Sequence, residues 1–272
     1  MTQKIPCSVL ILTRNSAAAI ERCIKNLAPF GEILIHDANS EDNTVEIASR
    51  YGAKILPQEE TTERSIRVKD FTAMRLKQRA DAAFDWVLYL DSDEYMSDAL
   101  VAEVGEILTK TLPKTIVKFP RLPVIDGIPR TRGNAFPEIM PRLHHRGSGA
   151  TLRTGKVVHE KYVYDSSFTE IIAKNPLYVP LDSVSKLRSK DDHYLLLEVE
   201  RMRREHYSFR SYLRWFFLRE PLIMLKYFVK TLSVIPFGFT RESMPFSYNF
   251  RFVRYHWRMY RAVTGLMVER LF

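Results

Sequence analysis

The stretch WVLYLDSDEY, residues 86–95, decides the fold that we expect for this chain. Its first half is rich in apolar, strand-forming residues, and it stops abruptly at the acids Asp91, Asp93 and Glu94. A buried strand of this kind delivers its last residues to the carboxyl edge of a sheet, where open α/β sheets bind ligands. Residues i and i+2 of an extended segment share one face, so Asp91 and Asp93 can together hold a hard cation, Mg²⁺ or Mn²⁺.

The start of a helix offers a second explanation for these acids. Ser97 is suited to cap a helix, and Asp98 would then lie in its first turn, where acids are favoured. This alternative also accounts for Glu94. It explains Asp91 poorly, because a carboxylate still joined to the apolar run needs a partner to offset its desolvation. The metal site is therefore the favoured interpretation.

Two earlier apolar runs, at residues 8–12 and 32–37, are predicted to be strands; each leads into polar residues and is followed by a helical pattern. The polar residues at these two strand ends are Thr13, Arg14, Asn15, Asp37 and Asn39. Strands that alternate with helices predict a parallel sheet with right-handed crossovers, whose strand ends meet in one crevice. A nucleotide fits there, with Asp37 accepting from base or ribose groups and the cation at Asp91 holding a diphosphate. Alternatively these residues are only turn and cap residues, and Arg14 is a solvated loop charge.

Four further local predictions follow from the residue patterns. Ser16 is expected to cap the first helix. Residues 59–83 are charged and have the composition of a mostly helical segment. Residues 118–129 contain several prolines and predict an edge strand with turns. The two cysteines, Cys7 and Cys23, lie in apolar patterns and are expected to be small core residues in a reducing compartment.

The last quarter of the chain differs sharply in composition from the rest. Residues 201–272 carry 14 Lys and Arg against 4 Asp and Glu, and 18 of the 32 aromatic residues, so the net charge of +9 arises there. We therefore predict two domains, residues 1–190 and a basic, aromatic, helical region at residues 191–272. Its last helix would place Arg251, Arg254, Arg258 and Arg261 in one stripe beside apolar residues. This pattern favours contact with a membrane surface, although packing within a helical subdomain or an oligomer is the alternative.

Other partners and locations are less consistent with the sequence. The aromatic residues follow helical periodicity and no nucleic-acid-binding motif is present, so nucleic acid is not expected as a partner. The apolar run near the N-terminus is too short for a signal peptide, and no uncharged run reaches the length of about 18 residues that a membrane-spanning helix needs. We expect a cytoplasmic protein that is peripheral on the inner face of the cell membrane.

Several motifs resemble those of a known enzyme family. SVLILTRN, EILIHDANSEDNT and WVLYLDSDE resemble the three N-terminal signatures of family 2 glycosyltransferases with the GT-A fold. LDSDE is similar to the LDADE form of bacterial enzymes of the lipopolysaccharide-core glucosyltransferase type. PRLHHRG at residues 141–147 and GKVVHE at residues 155–160 are similar to the RLFRRG and VHE segments of that group. The resemblance implies a GT-A fold, an α/β fold with a mostly parallel sheet, here with a C-terminal α-helical appendage.

The resemblance also implies an activity and a set of site residues. The expected reaction is an inverting, metal-dependent transfer of a sugar from a nucleotide-sugar donor, UDP-linked, to a glycan or lipid-linked acceptor in cell-envelope polysaccharide or lipopolysaccharide synthesis. Glu160 is implied as the general base, and His159 as a contact to the cation or the diphosphate. Arg142 would assist at the departing diphosphate, and Lys69 would face the nucleotide. The other acids considered as the base are Glu94, Asp126 and Glu138.

Two other functions are considered beside this one. A sugar-1-phosphate nucleotidyltransferase has a related sheet, but its first strand leads into a glycine-rich phosphate loop, and here no glycine precedes Gly31. A non-catalytic adaptor on the same fold would bind a membrane or a partner through the basic helices.

Overall fold

The computed structural model describes residues 3–68, 70–133, 138–152, 162–204, 208–232 and 240–271. The predictions for Lys69, His159 and Glu160 concern residues outside these ranges. The chain forms two compact units. We call Met1–Leu122 with Pro137–Val179 the sheet unit, and Pro123–Phe136 with Pro180–Phe272 the helical unit.

Strands and helices alternate through the first half of the chain. The strands are β1 (Ile5–Thr13), β2 (Phe30–Asp37), β3 (Lys54–Pro57), β4 (Trp86–Asp91), β5 (Thr115–Ile125), β6 (Ile128–Pro129), β7 (Glu138–His145), β8 (Thr151–Leu152), β9 (Tyr162–Val163), β10 (Thr169–Ile172) and β11 (Leu177–Pro180). The α-helices are α1 (Ala17–Ile24), α2 (Thr44–Arg50), α3 (Phe71–Asp81), α4 (Asp98–Lys110), α5 (Val184–Arg204), α6 (Phe209–Arg214), α7 (Glu220–Leu232) and α8 (Phe246–Leu271). A π-helical turn, Trp215–Arg219, joins α6 to α7.

The central sheet has the strand order β10-β5-β7-β4-β1-β2-β3. Strands β4, β1, β2 and β3 are parallel to one another, and β10 is parallel to β5. Strand β7 is antiparallel to both β4 and β5. The predicted fold class, an α/β fold with a mostly parallel sheet and C-terminal helices, is confirmed.

The core of the sheet unit follows from the apolar runs of β1 and β4. Both strands are buried on both faces, because helices or loop residues cover each side. One face of β1 packs with Ile20 and Cys23 of α1, and Cys7 and Cys23 are buried as predicted. Residues of the opposite face form a second cluster, Leu10, Leu34, Ala82, Val87 and Tyr89. The sheet is therefore held rigidly where β1 and β4 end.

Three local predictions were wrong. Of the described residues in the segment 59–83, which was predicted to be mostly helical, only those of α3, Phe71–Asp81, form a helix. The residues before it are held differently, because Ser65 and Ile66 donate backbone hydrogen bonds to the carbonyls of Asn39 (2.9 Å) and Ala38 (3.0 Å) after β2. Ser16 makes no side-chain cap. Instead Asp42 from the following loop accepts from the backbone N–H of Ala17 at 3.0 Å.

The third error concerns β5. The sequence predicted an edge strand from Lys118, but β5 is paired with β11 and β6 as well as with β7 and β10, so it is not an edge strand. The prolines that suggested an edge strand, Pro120 and Pro123, lie beyond the residues that pair with β10.

The helical unit is held together by an apolar cluster and by ion pairs. The buried members of the cluster are Leu195, Met202, Tyr212, Met259, Val263 and Leu266. Arg251 of α8 pairs with Asp191 of α5 at 2.9 Å, and Arg258 pairs with Asp192. The expectation that the arginine stripe faces lipid is wrong for these two residues, because two acids of α5 hold them. Among the described residues, no helix has the length and apolarity required to span a membrane.

Candidate active site

The register of the parallel strands brings the predicted residues to one edge of the sheet. Leu12 pairs with Asp91 across β1 and β4, and Thr13 pairs with Asp37 across β1 and β2. Three strand ends therefore lie side by side, as expected for the ligand-binding edge of an open α/β sheet. The joint placement predicted for Thr13, Asp37 and Asp91 is present in the structure.

Asp37 is a buried carboxylate that organises the turn after β2. It accepts from the hydroxyl of Thr13 at 2.7 Å, and from both the backbone N–H and the hydroxyl of Ser40 at 2.7 Å. These donors satisfy a charge that would otherwise be costly to bury. The carboxylate therefore fixes the ends of β1 and β2 relative to each other.

Asn15 and Asn39, at the ends of β1 and β2, hold the loop before α3 by hydrogen bonds. Both have a left-handed backbone, with φ of 47° and 57°, which Asn tolerates better than most residues. The Asn39 side chain accepts from Arg64 at 2.9 Å and donates to the carbonyl of Glu63 at 2.6 Å. The Asn15 side chain donates to the hydroxyl of Ser65 at 2.9 Å. The guanidinium of Arg14, which is exposed, lies 3.4 Å from the Ser65 carbonyl oxygen.

Asp91 is held by two guanidinium groups. Its Oδ1 lies 2.5 Å from Arg75 of α3, and its Oδ2 lies 2.9 Å from Arg142 of β7. Burial opposes the charged form, but the positive charges of Arg142 and Arg75 dominate and lower the pKa of Asp91 well below its ordinary range. The side chain is still 40% exposed, so an ionised carboxylate faces the crevice.

Glu94 lies fully buried directly behind Asp91. Its Oε1 accepts from Arg121 at 2.8 Å and from Arg142 at 2.7 Å, and its Oε2 accepts from the backbone N–H of Asp91 at 3.2 Å. Burial raises the pKa of this carboxyl and the neighbouring charge of Asp91 adds to the shift, while Arg142 and Arg121 oppose it. A carboxylate enclosed in this way cannot reach an acceptor hydroxyl, so Glu94 is not the general base. It supports the arginines instead.

Two of these arginines, Arg75 and Arg121, were not identified as site residues from the sequence. Arg75 is buried on the inner face of α3, and the buried residues of that helix are Thr72, Arg75 and Gln78. Three polar residues spaced by three on one helix face were the available signal, since a polar inner face implies buried partners. Arg121 lies in the proline-containing half of β5, which carried no comparable signal.

A cavity of about 570 Å³ opens beside this network in the sheet unit. Its lining includes Asp91, Arg142, Arg121, Tyr89, Tyr162 and Glu138. Glu138 pairs with Arg121 at 2.8 Å and is more than half exposed, so it remains an acid with access to the cavity. Asp126, the other candidate base, is an exposed turn residue of the helical unit.

Asp93 lies in the turn after β4 and is exposed. In the described ranges, no group of three or more His, Cys, Asp or Glu residues could by itself hold a metal ion. Arg75 and Arg142 engage both oxygens of Asp91, and Asp93 is an exposed residue of the same turn. The oxygen donors of the DSD turn fit a hard cation whose other ligands come from a phosphate group.

Comparison with known proteins shows that this chain is similar to glycosyltransferases. Residues 8–117 match the family model described as glycosyl transferase family 2. An uncharacterized glycosyltransferase of Rickettsia bellii is 36% identical over 110 residues, which are 39% of this chain and 33% of that protein. The lipopolysaccharide core biosynthesis glycosyltransferase LpsC of Rhizobium meliloti is 28% identical over 166 residues, 60% of this chain and 59% of that protein.

Among solved structures, S. aureus TarS residues 1–349 in complex with UDP-GlcNAc is similar. It has a TM-score of 0.44 and 15% identity, over 65% of this chain and 59% of that one. This chain spans 33% of the length of the Rickettsia bellii protein and 59% of the length of LpsC.

Proposed function

We propose that this chain, whose residues 8–117 form a glycosyl transferase family 2 domain, is an inverting, metal-dependent glycosyltransferase. It moves a sugar from a UDP-linked donor to a glycan or lipid-linked acceptor, in the synthesis of lipopolysaccharide or another cell-envelope polysaccharide. The observation that carries the proposal is the meeting of Thr13, Asp37 and Asp91 at one sheet edge, with Asp93 in the turn that follows. The relative named for lipopolysaccharide core biosynthesis supports the proposed pathway.

The nucleotide is proposed to bind between the ends of β1 and β2 and the loop before α3. The hydrogen bond between Thr13 and Asp37 fixes the strand ends at the base of this proposed site. Asn15 and Asn39 hold the loop that is proposed to form its side. Arg14 lies beside this loop and is proposed to face the donor. Lys69 is proposed for the same role from the family resemblance. This placement follows the general rule that ligands bind at the carboxyl ends of strands in open sheets.

The cation is proposed to bind at Asp93, with Asp91 held in place by its two arginines and His159 as a further contact. Oxygen donors suit Mg²⁺ and Mn²⁺, which bind diphosphate oxygens at the same time. When bound, such an ion stabilises the charge that develops on the departing diphosphate. Asp91 cannot drift from this position, because Arg75 and Arg142 hold one carboxylate oxygen each.

Arg142 and a carboxylate complete the proposed machinery. Arg142 lines the cavity next to Asp91, where a guanidinium favours negative charge on the leaving group. Inversion needs a base on the opposite side of the sugar, positioned to take the proton of the attacking hydroxyl. Glu160 is proposed for this role from the family resemblance. Glu138, which lines the cavity, is the second candidate.

The proposal is tested by measuring release of nucleoside diphosphate from a panel of nucleotide sugars, with Mn²⁺, with Mg²⁺ and with chelator. Transfer to water is slow but detectable without a known acceptor, and added acceptor candidates should accelerate it. We expect release from one or a few UDP-sugars only, and its loss with chelator. Release that is equally fast in chelator would contradict the metal dependence, and no release from any donor by folded protein would contradict the transferase activity.

A further inference from the structure

Helix α7 of the helical unit carries an exposed apolar stripe. We define the α7 stripe as Leu222, Leu225, Val229 and Leu232 of α7 together with Leu218 of the π-helical turn directly before it. These residues recur at spacings of four, three, four and three, which places them on one helix face. Each is between 41% and 60% exposed. A continuous apolar face of this kind is unusual on a protein surface that meets only water.

The opposite face of α7 supplies the packing of the helix. A hydrogen bond of 2.8 Å joins Glu220 Oε2 to His256 Nδ1 of α8. The ring of Tyr227 stacks on that of Phe252, with 4.9 Å between the ring centroids. Thr231 is buried on the same side. At about 100° per residue, the residues at 222, 225 and 229 point roughly away from Tyr227. The α7 stripe is therefore not needed to hold α7 in the helical unit.

The charges around the stripe have one sign. Within the described segment 208–232, every exposed charged side chain is basic, namely Arg210, Arg214, Arg219, Lys226 and Lys230. The single acid of this segment, Glu220, is 2% exposed and paired with His256. Lys226 and Lys230 lie four residues apart, along one flank of the stripe. The surface thus combines apolar side chains with positive charge and presents no acid.

We propose that the α7 stripe is the surface by which the helical unit binds an anionic lipid bilayer. The leucines and Val229 enter the interface between headgroups and acyl chains, and Lys226 and Lys230 contact the lipid phosphates. A second copy of this chain would fit less well, because it would bring the same basic flank against itself. The inference rests on the proposed function, because a transferase with a lipid-linked acceptor would meet that acceptor at a membrane surface.

The test is flotation of the full chain with vesicles of phosphatidylcholine alone or with about one quarter phosphatidylglycerol. We expect binding to the anionic vesicles that weakens as salt rises. The double variant Leu225→Gln/Val229→Gln should lower the partition coefficient about thirtyfold, from the apolar area withdrawn. Lys226→Gln/Lys230→Gln should lower it about twentyfold, given the effect of each basic residue near an anionic surface.

Two matched variants serve as controls. Leu112→Gln changes an apolar residue that is 77% exposed in the sheet unit. Arg50→Gln/Lys110→Gln removes two exposed basic residues of the sheet unit. Both should bind vesicles like the parent chain. Because the substituted residues are exposed, all variants should keep the parent far-ultraviolet circular dichroism spectrum.

Several outcomes would overturn the proposal. These are absence of binding to anionic vesicles, unchanged binding by the α7 variants, or a dimer in sedimentation that the α7 variants abolish while vesicle binding persists. Calorimetry of UDP with the same preparations separates this inference from the proposed function. Vesicle binding without nucleotide binding would reject the transferase alone, whereas nucleotide binding without vesicle binding would reject the membrane surface alone.

Discussion

The crevice at the ends of β1, β2 and β4 and the outer face of α7 use charged and apolar residues in opposite ways. In the crevice the carboxylates of Asp37 and Glu94 are buried, and the charges of Asp91 and Arg142 are paired at the mouth of a cavity. On α7 the acid is buried against His256, and leucine side chains are left in solvent. Buried pairs of this kind are costly to desolvate, so they indicate a site where position matters more than stability.

The contrast separates what each region does from what holds it together. Ion pairs such as Arg251 with Asp191 join helices in the helical unit and leave its apolar surface available to a partner. In the sheet unit the apolar residues form the core, and charged side chains such as Asp91 and Arg142 line the cavity, where a ligand can contact them. Each of the following predictions tests one side of this contrast.

The largest effect is expected from Asp93→Asn. Loss of the exposed carboxylate of the DSD turn should lower the rate of UDP release about a thousandfold, because the cation then loses a direct ligand. The matched control is Asp98→Asn, an exposed acid in the first turn of α4, which should stay within about twofold of the parent rate. Equal rates for the parent and Asp93→Asn would remove Asp93 from the metal site.

The next largest effect is expected on stability, from Glu94→Gln. An amide in place of the buried carboxylate removes the charge that Arg121 and Arg142 share, and leaves them, among the described carboxylates, only Glu138 and Asp91, which should lower the free energy of unfolding by about 3 kcal/mol. The measurement is urea denaturation at neutral pH. Glu138→Gln breaks an exposed pair with Arg121 and should cost less than about 1 kcal/mol. A loss for Glu94→Gln no larger than that of Glu138→Gln would contradict the supporting role.

A smaller effect concerns pH and His144 of β7. Burial lowers the pKa of His144 to about 3, and the charges of Arg79 and His145 add to the shift. The unfolded chain therefore binds more protons between about pH 3 and pH 6.5, so stability should rise with pH across this window. His144→Phe should flatten the slope between pH 4 and 6 by up to about 1.4 kcal/mol per pH unit.

Denaturation at several pH values measures that slope. His193→Phe, at an exposed position of α5, should leave it unchanged. An unchanged slope in His144→Phe would mean that His144 is protonated in the folded state.

The smallest effect is expected from Arg251→Gln in the helical unit. Its pair with Asp191 is mostly buried, so the variant should lose about 1 kcal/mol of stability. Its binding to anionic vesicles should change less than twofold, because Arg251 faces α5 and not the α7 stripe. A double-mutant cycle with Asp191→Asn isolates the pair. A large loss of vesicle binding with unchanged stability would restore the arginine stripe of α8 as the membrane surface.

Much of the fold was predictable because its strands are uninterrupted apolar runs. The predicted strands at residues 8–12, 32–37 and 86–91 correspond to β1, β2 and β4. Their polar ends were predictable for the same reason, since parallel strands share an edge. The loop at residues 58–68 was not, because backbone hydrogen bonds to Ala38 and Asn39 override its helical composition.

The network behind Asp91 was less accessible to sequence reasoning. Its arginines come from α3, β5 and β7, and only tertiary packing brings them together. Glu94 looked like a cap or a base because its burial depends on those distant residues. The sequence of α7 is apolar over most of its length and does not show which face is buried. The contacts of Tyr227 and Glu220 with α8 identify the buried face in the structure.

The central claim is that the crevice beside Asp91 binds a nucleotide together with a cation. Titration calorimetry of UDP tests it most directly, with Mn²⁺, with Mg²⁺ and with chelator, on the parent chain and on Asp93→Asn. We predict one UDP per chain in the presence of Mn²⁺ or Mg²⁺, with an affinity that falls at least about tenfold in chelator and in the variant. Binding of UDP that is the same with metal, with chelator and in Asp93→Asn would contradict the cation site, and no binding by folded protein would contradict the nucleotide crevice itself.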